Sequence, residues 1–276
     1  MKLVVDSFWR AAVSCMHPRV LALSLLPLVL MACAALVLKY FFWQSAVDKV
    51  LVGFESFAIF KTLIGGLEGI GLPNVKAVLA PMTVVFLTTP VIIVSALLLV
   101  AAFMTPAMVA LVADRRFVLL ERRHGGSLVA GIFGTLWATT SALLALLVSI
   151  PFWFVPPLVM IVPPFISGWL TYRVMTYDVL AEHASADERR ALVKRHRATL
   201  LGMGVLAGYL GAAPSIVWAA GAFAIVLAPV LLPVAVWIYT LVFAFSALWF
   251  AHFGLAALQT MRREDPIPER GRRACL

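Results

Sequence analysis

Four long stretches without an acidic or basic side chain other than one histidine organise the chain: Val20 to Leu38, Ala77 to Ala113, Gly125 to Tyr172 and Ala198 to Met261. A helix rises about 1.5 Å per residue, so roughly 20 apolar residues cross the ~30 Å hydrocarbon layer of a bilayer. The first stretch, flanked by Arg19 and Lys39, predicts one spanning helix over about 20–42. The second is nearly twice that length and carries Pro81, Pro90 and Pro106. It predicts one long, kinked or tilted helix over 77–113 that projects beyond the membrane.

Prolines divide the other two stretches. Pro151, Pro156, Pro157, Pro163 and Pro164 withhold backbone donors from a continuous helix and place a turn in the middle of the third. Pro214, Pro229 and Pro233 do the same in the fourth. Each stretch predicts a hairpin, with segments of about 127–150 and 152–172, then 199–227 and 230–259. Proline-rich tips suit re-entrant pairs buried against protein as well as full crossings, and both remain open here. Between the first two stretches lie Asp48, Lys49, Glu55, Lys61, Glu68 and Lys76, interleaved with apolar residues and followed by a turn signal at Pro73-Asn74. Segment 43–76 therefore reads as one or two interfacial helices plus a turn.

Composition agrees with lipid as the main solvent. The 276 residues are 63% hydrophobic and 13% charged, with a mean hydropathy of +1.02; a water-soluble globule needs more polar surface. The expectation is an all-α integral membrane protein, one polytopic domain over 1–261 of about six membrane segments, two long helices plus two proline-broken hairpins. The formal charge of +9 sits at the ends of the uncharged stretches rather than along a groove with aromatic platforms, which argues against nucleic acid. Lys2, Arg10 and Arg19, then Arg115 to Arg123, Arg173 to Arg197, and the tail from Arg262 to Arg273 all fall on one side if every pair of segments returns. Basic loops mark the cytoplasmic side, so both termini are expected inside, with 43–76 outside and 262–276 a basic cytoplasmic tail without fixed structure.

Cys15, Cys33 and Cys275 have no spacing that forms a disulfide framework or a metal site. Leu30-Met31-Ala32-Cys33 resembles a lipoprotein cleavage box, but the apolar run continues to Leu38, as in a retained span. The terminal Arg273-Ala274-Cys275-Leu276 does not match a prenylation box. Ser185-Ala186-Asp187-Glu188 is a capping box, predicting a charged cytoplasmic helix over 185–198 with acids in its first turn and bases later.

Candidate chemistry is sparse. There is no phosphate-binding glycine loop, zinc-protease motif or nucleophile elbow, so neither an enzyme nor a cofactor is expected. Gly202-Met203-Gly204 reads as a close helix contact. His252, the one ionisable side chain inside the fourth stretch, fits a neutral histidine bonded to a neighbouring helix or an ion-binding group. Asp178 fits a solvated carboxylate or a group that orients the charged helix.

From Trp169 onward, Trp169, Tyr172, Tyr177-Asp178, His183, the basic run Arg189 to Arg197, Gly204, Pro214 and Pro233-Val234-Ala235-Val236 stand in an order that resembles the CysZ-type sulfate permeases of the etoposide-induced-protein superfamily. The Pro18 to Pro27 spacing is similar too. The resemblance implies two long spanning helices with two hairpins, a bacterial inner-membrane location, homo-oligomers, and sulfate or another small oxyanion as the solute. Where that family has paired arginines at its sulfate site, this chain has Leu21 and Ala22, with Arg19 nearby. The substrate-binding candidates are therefore Arg19 and His252, and the structural or gating candidates are Tyr177, Asp178, His183 and Pro214. A non-transporting membrane scaffold is the alternative from a different class.

Overall fold

A computed structural model describes residues 2–69, 74–123, 125–126, 128–212 and 222–264. All regular structure among them is helical: α1 (Lys2–Cys15), α2 (Pro18–Val37), α3 (Trp43–Ser56), α4 (Ala58–Gly69), α5 (Val75–Arg116), α6 (Leu128–Ser149), α7 (Pro156–Ala181), α8 (Ala186–Ala212) and α9 (Ala222–Glu264). Among the described residues, four helical stretches are long and apolar enough to cross a membrane: Pro18–Ser56, Val75–Arg116, Gly131–Phe152 and Val230–Glu264. The all-helical content is what the uncharged stretches predict, with four candidate spans among the described residues where about six membrane segments are expected.

The chain divides into two compact units, one of residues 25–100 and one of residues 1–24 with 101–276. In the smaller unit the first span does not stop near residue 42. A π-helical turn over Leu38–Phe42 carries it directly into α3, so the expected outer segment begins as a continuation of the same helix. Phe54, Ile64 and Ala80 form a small core there, packed by Val47, Val50, Leu51, Val75 and Leu79. Of the expected Pro73-Asn74 turn, Pro73 lies outside the described residues, and Asn74, just before α5, takes a left-handed φ of 65°. Asparagine tolerates this conformation better than most residues. Beyond it α5 runs unbroken through three prolines for 42 residues, about 63 Å at the α-helical rise, or twice a bilayer's hydrocarbon thickness. Thr83 and Thr88 donate to the carbonyls four residues back, Leu79 and Val84, at 2.8 and 2.6 Å, so their hydroxyls need no other partner in an apolar setting.

In the larger unit, the third stretch forms the expected hairpin. A 3₁₀ turn over Ile150–Phe154 joins α6 to α7, and Pro156 opens α7 at a position where a missing N–H costs nothing. Pro163 and Pro164, however, lie inside α7 rather than in the turn, and α7 extends to Ala181, past the predicted end at 172. The charged helix and the segment after it are one helix, α8, kinked at His196 (φ −113°, ψ 19°), close to the predicted division at 198. The ring of His196 meets Phe253 of α9 edge-on at 5.6 Å.

A correction concerns the fourth stretch. No break occurs at 228–229: α9 is a single helix of 43 residues from Ala222 through Pro229 and Pro233 to Glu264. A proline removes one donor, and surrounding helices can absorb that loss. Residues 213–221, which separate α8 from α9 and include Pro214, lie outside the described residues, as does the tail from 265 to 276. α9 is also the most enclosed span, with 33% of its apolar window buried against 11–17% for the others. From Ala247 to Leu258 every residue is buried, and a helix apolar on all sides belongs at the centre.

What encloses it includes a helix that uncharged-stretch analysis passes over. α1 lies against α9, with Phe8 set edge-on to Phe245 and Trp249 at ring distances of 5.2 Å and the Trp249 indole N–H donating to the Val4 carbonyl at 3.3 Å. Close approach of another kind joins α7 to α8. Gly168, Gly204 and Gly208 bring the two backbones together: a Cβ on Gly208 would lie 2.6 Å from the Pro164 carbonyl oxygen. Gly204 thus makes the contact expected of the Gly202-Met203-Gly204 run, whereas Gly202 faces nothing within 4 Å among the described residues.

Candidate functional site

Arg19 and His252, far apart in sequence, flank two small cavities in the larger unit, and both cavities include Leu111 and Arg115. The first, about 300 Å³, is bounded by Arg19, Leu23, Ala107, Met108, Asp114 and Arg115. The second, about 60 Å³, is bounded by Ser14, His17, Arg115, Arg116 and His252. The elements responsible are the C-terminal turns of α1 and α5, the start of α2 and the middle of α9.

The charges there are unequal. Asp6 accepts from Arg10 at 2.8 Å and from Arg116 at 3.4 Å. The bond from Arg10, then the Arg10 and Arg116 charges, hold the Asp6 carboxyl below its ordinary range against a desolvation effect of opposite sign. Asp114 is taken by Arg122 at 3.1 Å. Among the described residues no carboxylate pairs with Arg19 or Arg115. Arg115 instead donates to His17 Nε2 at 2.7 Å. A guanidinium only donates, so that nitrogen must be an acceptor and the imidazole neutral. Desolvation and the nearby Arg115 and Arg19 charges lower the His17 pKa and keep it so at pH 7. The Arg19 backbone N–H, 3.3 Å from Nδ1, competes for the same single acceptor role, and the shorter contact prevails.

His252 is 6% exposed. Its Nε2 lies 3.3 Å from the Ser14 hydroxyl, the bond to a neighbouring helix expected of a neutral histidine, while its Nδ1 is buried without a partner among the described residues. A buried polar nitrogen with no partner calls for a water or a solute, and the 60 Å³ space beside it admits one water.

Tyr177, Asp178 and His183 lie elsewhere, around the α7–α8 corner. The Arg189 guanidinium stacks 4.5 Å over the Tyr177 ring. Asp178, in a helix that is not one of the four long apolar stretches, borders a cavity with Thr105, Thr139, Tyr177 and Glu182; burial pushes its carboxyl up to about 6. His183 contributes its carbonyl to a junction that sequence reasoning did not anticipate. The capping box forms as predicted, with the Ser185 N–H donating to Glu188 Oε2 at 2.8 Å and the Glu188 N–H to the Ser185 hydroxyl at 3.2 Å. Glu188 then also accepts Arg262 at both oxygens, at 2.9 and 3.0 Å, and Arg123 at 3.0 Å. Arg262 further donates to the carbonyls of His183 and Glu121. One buried carboxylate thereby ties the end of α9 to the start of α8 and the α5–α6 link.

Arg115 and Arg116 were legible only as orientation signals, and nothing local in the sequence marks them as neighbours of Arg19 and His252. No group of three or more potential metal ligands occurs among the described residues. A family model described as "Sulfate transporter CysZ/Etoposide-induced protein 2.4" matches residues 7–221. No curated protein and no solved structure matches the chain. That match runs from the middle of α1 through α8, including the Arg19 and Arg115 cavity, so the chain belongs to the CysZ/etoposide-induced protein 2.4 family.

Proposed function

We propose that the protein is a permease or channel for a small oxyanion, sulfate being the first candidate, in a bacterial inner membrane. The observation that carries this is the pair Arg19 and Arg115, two guanidinium groups without a carboxylate partner among the described residues, bordering one cavity. Arg19 compensates for Leu21 and Ala22 by standing with Arg115 from α5 instead of a sequence neighbour. Two forks can grip a tetrahedral oxyanion through paired N–H donors, and His252 next door offers a polar stop on the α9 side. Family membership favours transport over the scaffold reading. The chain is expected to act as a homo-oligomer in the bilayer with both termini inside, since its basic connections then share one face.

Radiolabelled sulfate uptake into proteoliposomes tests this. Wild-type protein gives saturable uptake above empty liposomes, competed by selenate or molybdate. Arg115→Gln and Arg19→Ala each raise the half-saturating concentration about tenfold or more, the scale of one lost charge-assisted hydrogen bond. Absence of uptake by correctly inserted wild-type protein would favour the scaffold; uptake unchanged in both variants would place the solute route elsewhere.

A further inference from the structure

A separate cavity of about 270 Å³ lies among α6, α7 and α8 and shares no residue with the Arg19 site. Arg173, Arg189 and Arg190 border it. Their charges are poorly balanced. Arg190 meets Asp187 at 3.5 Å, but those side chains are 82% and 94% exposed, so the pair is weak. Arg189 donates to the Gly125 carbonyl at 3.4 Å and stacks on Tyr177; Arg173 stacks on Trp169 at 5.6 Å. No carboxylate pairs with either among the described residues. Of the acids near them in sequence, Glu188 is engaged by Arg262 and Arg123 and Glu182 by Arg122, while Asp178 borders the neighbouring cavity rather than this one. Stacking occupies guanidinium faces and leaves edge N–H donors for an anion.

An independent observation comes from Thr176. It borders the same cavity and is 5% exposed, and its Oγ1 is buried without a hydrogen-bond partner among the described residues. A buried hydroxyl is seldom left so unless something absent from the protein itself satisfies it. Beside Gly134 and Ala138 of the cavity lining, α6 presents Phe133 and Trp137 outward, an apolar surface next to a basic one.

We propose that this cavity binds a phosphate group, with the three arginines as counter-charge and the Thr176 hydroxyl as a neutral hydrogen-bonding partner. The group belongs either to an anionic phospholipid, whose chains would lie along α6, or to free phosphate.

Delipidated full-length protein in detergent is tested in two arms: equilibrium dialysis with radiolabelled inorganic phosphate, and native mass spectrometry with phosphatidylglycerol against phosphatidylcholine. The variants are Arg173→Gln with Arg190→Gln, and Thr176→Val; Lys194→Gln with Arg197→Gln is the control, removing equal charge outside the cavity. Arg115→Gln accounts for anion held at the other site. The expected result is saturable binding in one arm, weakened about tenfold or more by the double cavity variant, several-fold by Thr176→Val, and retained in the control and in Arg115→Gln. Phosphatidylglycerol retention identifies a lipid headgroup, and phosphate retention a free ion. Equal loss in the control and the cavity variants, or no binding above the double cavity variant in either arm, overturns the proposal.

Discussion

Gly204→Val, and separately Gly168→Val, lowers the thermal unfolding midpoint of the detergent-solubilised protein by about 6–12 °C, while Gly202→Val leaves it within about 2 °C. The difference is geometric. A Cβ on Gly204 would run into the Gly168 carbonyl oxygen and lie 2.8 Å from the Tyr172 Cβ; one on Gly168 would lie 2.5 Å from the Val205 Cα and 2.8 Å from the Gly204 oxygen. These obstacles are backbone or the root of a side chain, so no rotamer change relieves them, and α7 must move away from α8. Overpacking costs roughly 1–3 kcal/mol, and a contact between two backbones belongs at the upper end. At about 2–4 °C per kcal/mol for a domain of this size, the stated shift follows. Small residues at helix contacts matter more in lipid, where close packing replaces the hydrophobic effect as the source of association. Gly202 supplies the internal comparison, because the same change there meets nothing within 4 Å among the described residues. Equal midpoints for Gly204→Val and Gly202→Val would show that the two helices are not held by this seam.

The parts of this fold that the sequence revealed are those decided locally or by solvent. The uncharged length of Ala77–Ala113 alone makes α5 long and apolar enough to cross a membrane, because no charge can rest cheaply in hydrocarbon. The Ser185 and Glu188 box was legible because its partners are three residues apart. Proline was a weaker guide: it marks the turn at 150–155, where the chain has to reverse, yet α7 keeps Pro163 and Pro164 and α9 keeps Pro229 and Pro233 inside regular helix. Whether a proline breaks a helix depends on what surrounds it, and sequence does not list the surroundings. α1 escaped notice for the opposite reason. Lys2, Asp6 and Arg10 interrupt its apolar residues, so a search for uncharged runs misses an amphipathic helix whose Phe8 packs on α9. The site was least legible. His17 and Arg115 are 98 positions apart, and Arg115 has the same composition signal whether it orients the chain or holds an anion.

Glu188→Ala is expected to destabilise the protein by about 3–5 kcal/mol, the usual cost of removing one partner of a buried ion pair. The Glu188 side chain is 1% exposed, Arg262 16% and Arg123 35%. Four donors converge on this carboxylate, from Arg262 twice, from Arg123 and from the Ser185 backbone. Without it the Arg262 guanidinium stays largely buried with only two carbonyls to receive its donors, and the start of α8 loses half its capping box. Glu188→Gln separates these effects: the amide oxygen can still accept, but the charge is gone, so an intermediate loss is expected. Acid provides a second reading without mutation. Desolvation raises the Glu188 pKa, but the Arg262 bond, the Ser185 N–H and the charges of Arg262 and Arg123 outweigh it, leaving the folded value below the ordinary 4.5. A carboxylate with a depressed folded pKa contributes its full stability above the unfolded value and loses it as pH falls through the folded one. Wild-type midpoints therefore decline more steeply below about pH 4.5 than those of Glu188→Gln, which has no proton to take up there. Parallel curves for the two proteins across that interval, or a Glu188→Ala variant as stable as wild type, would mean that α8, α9 and the α5–α6 link are held together by apolar packing alone.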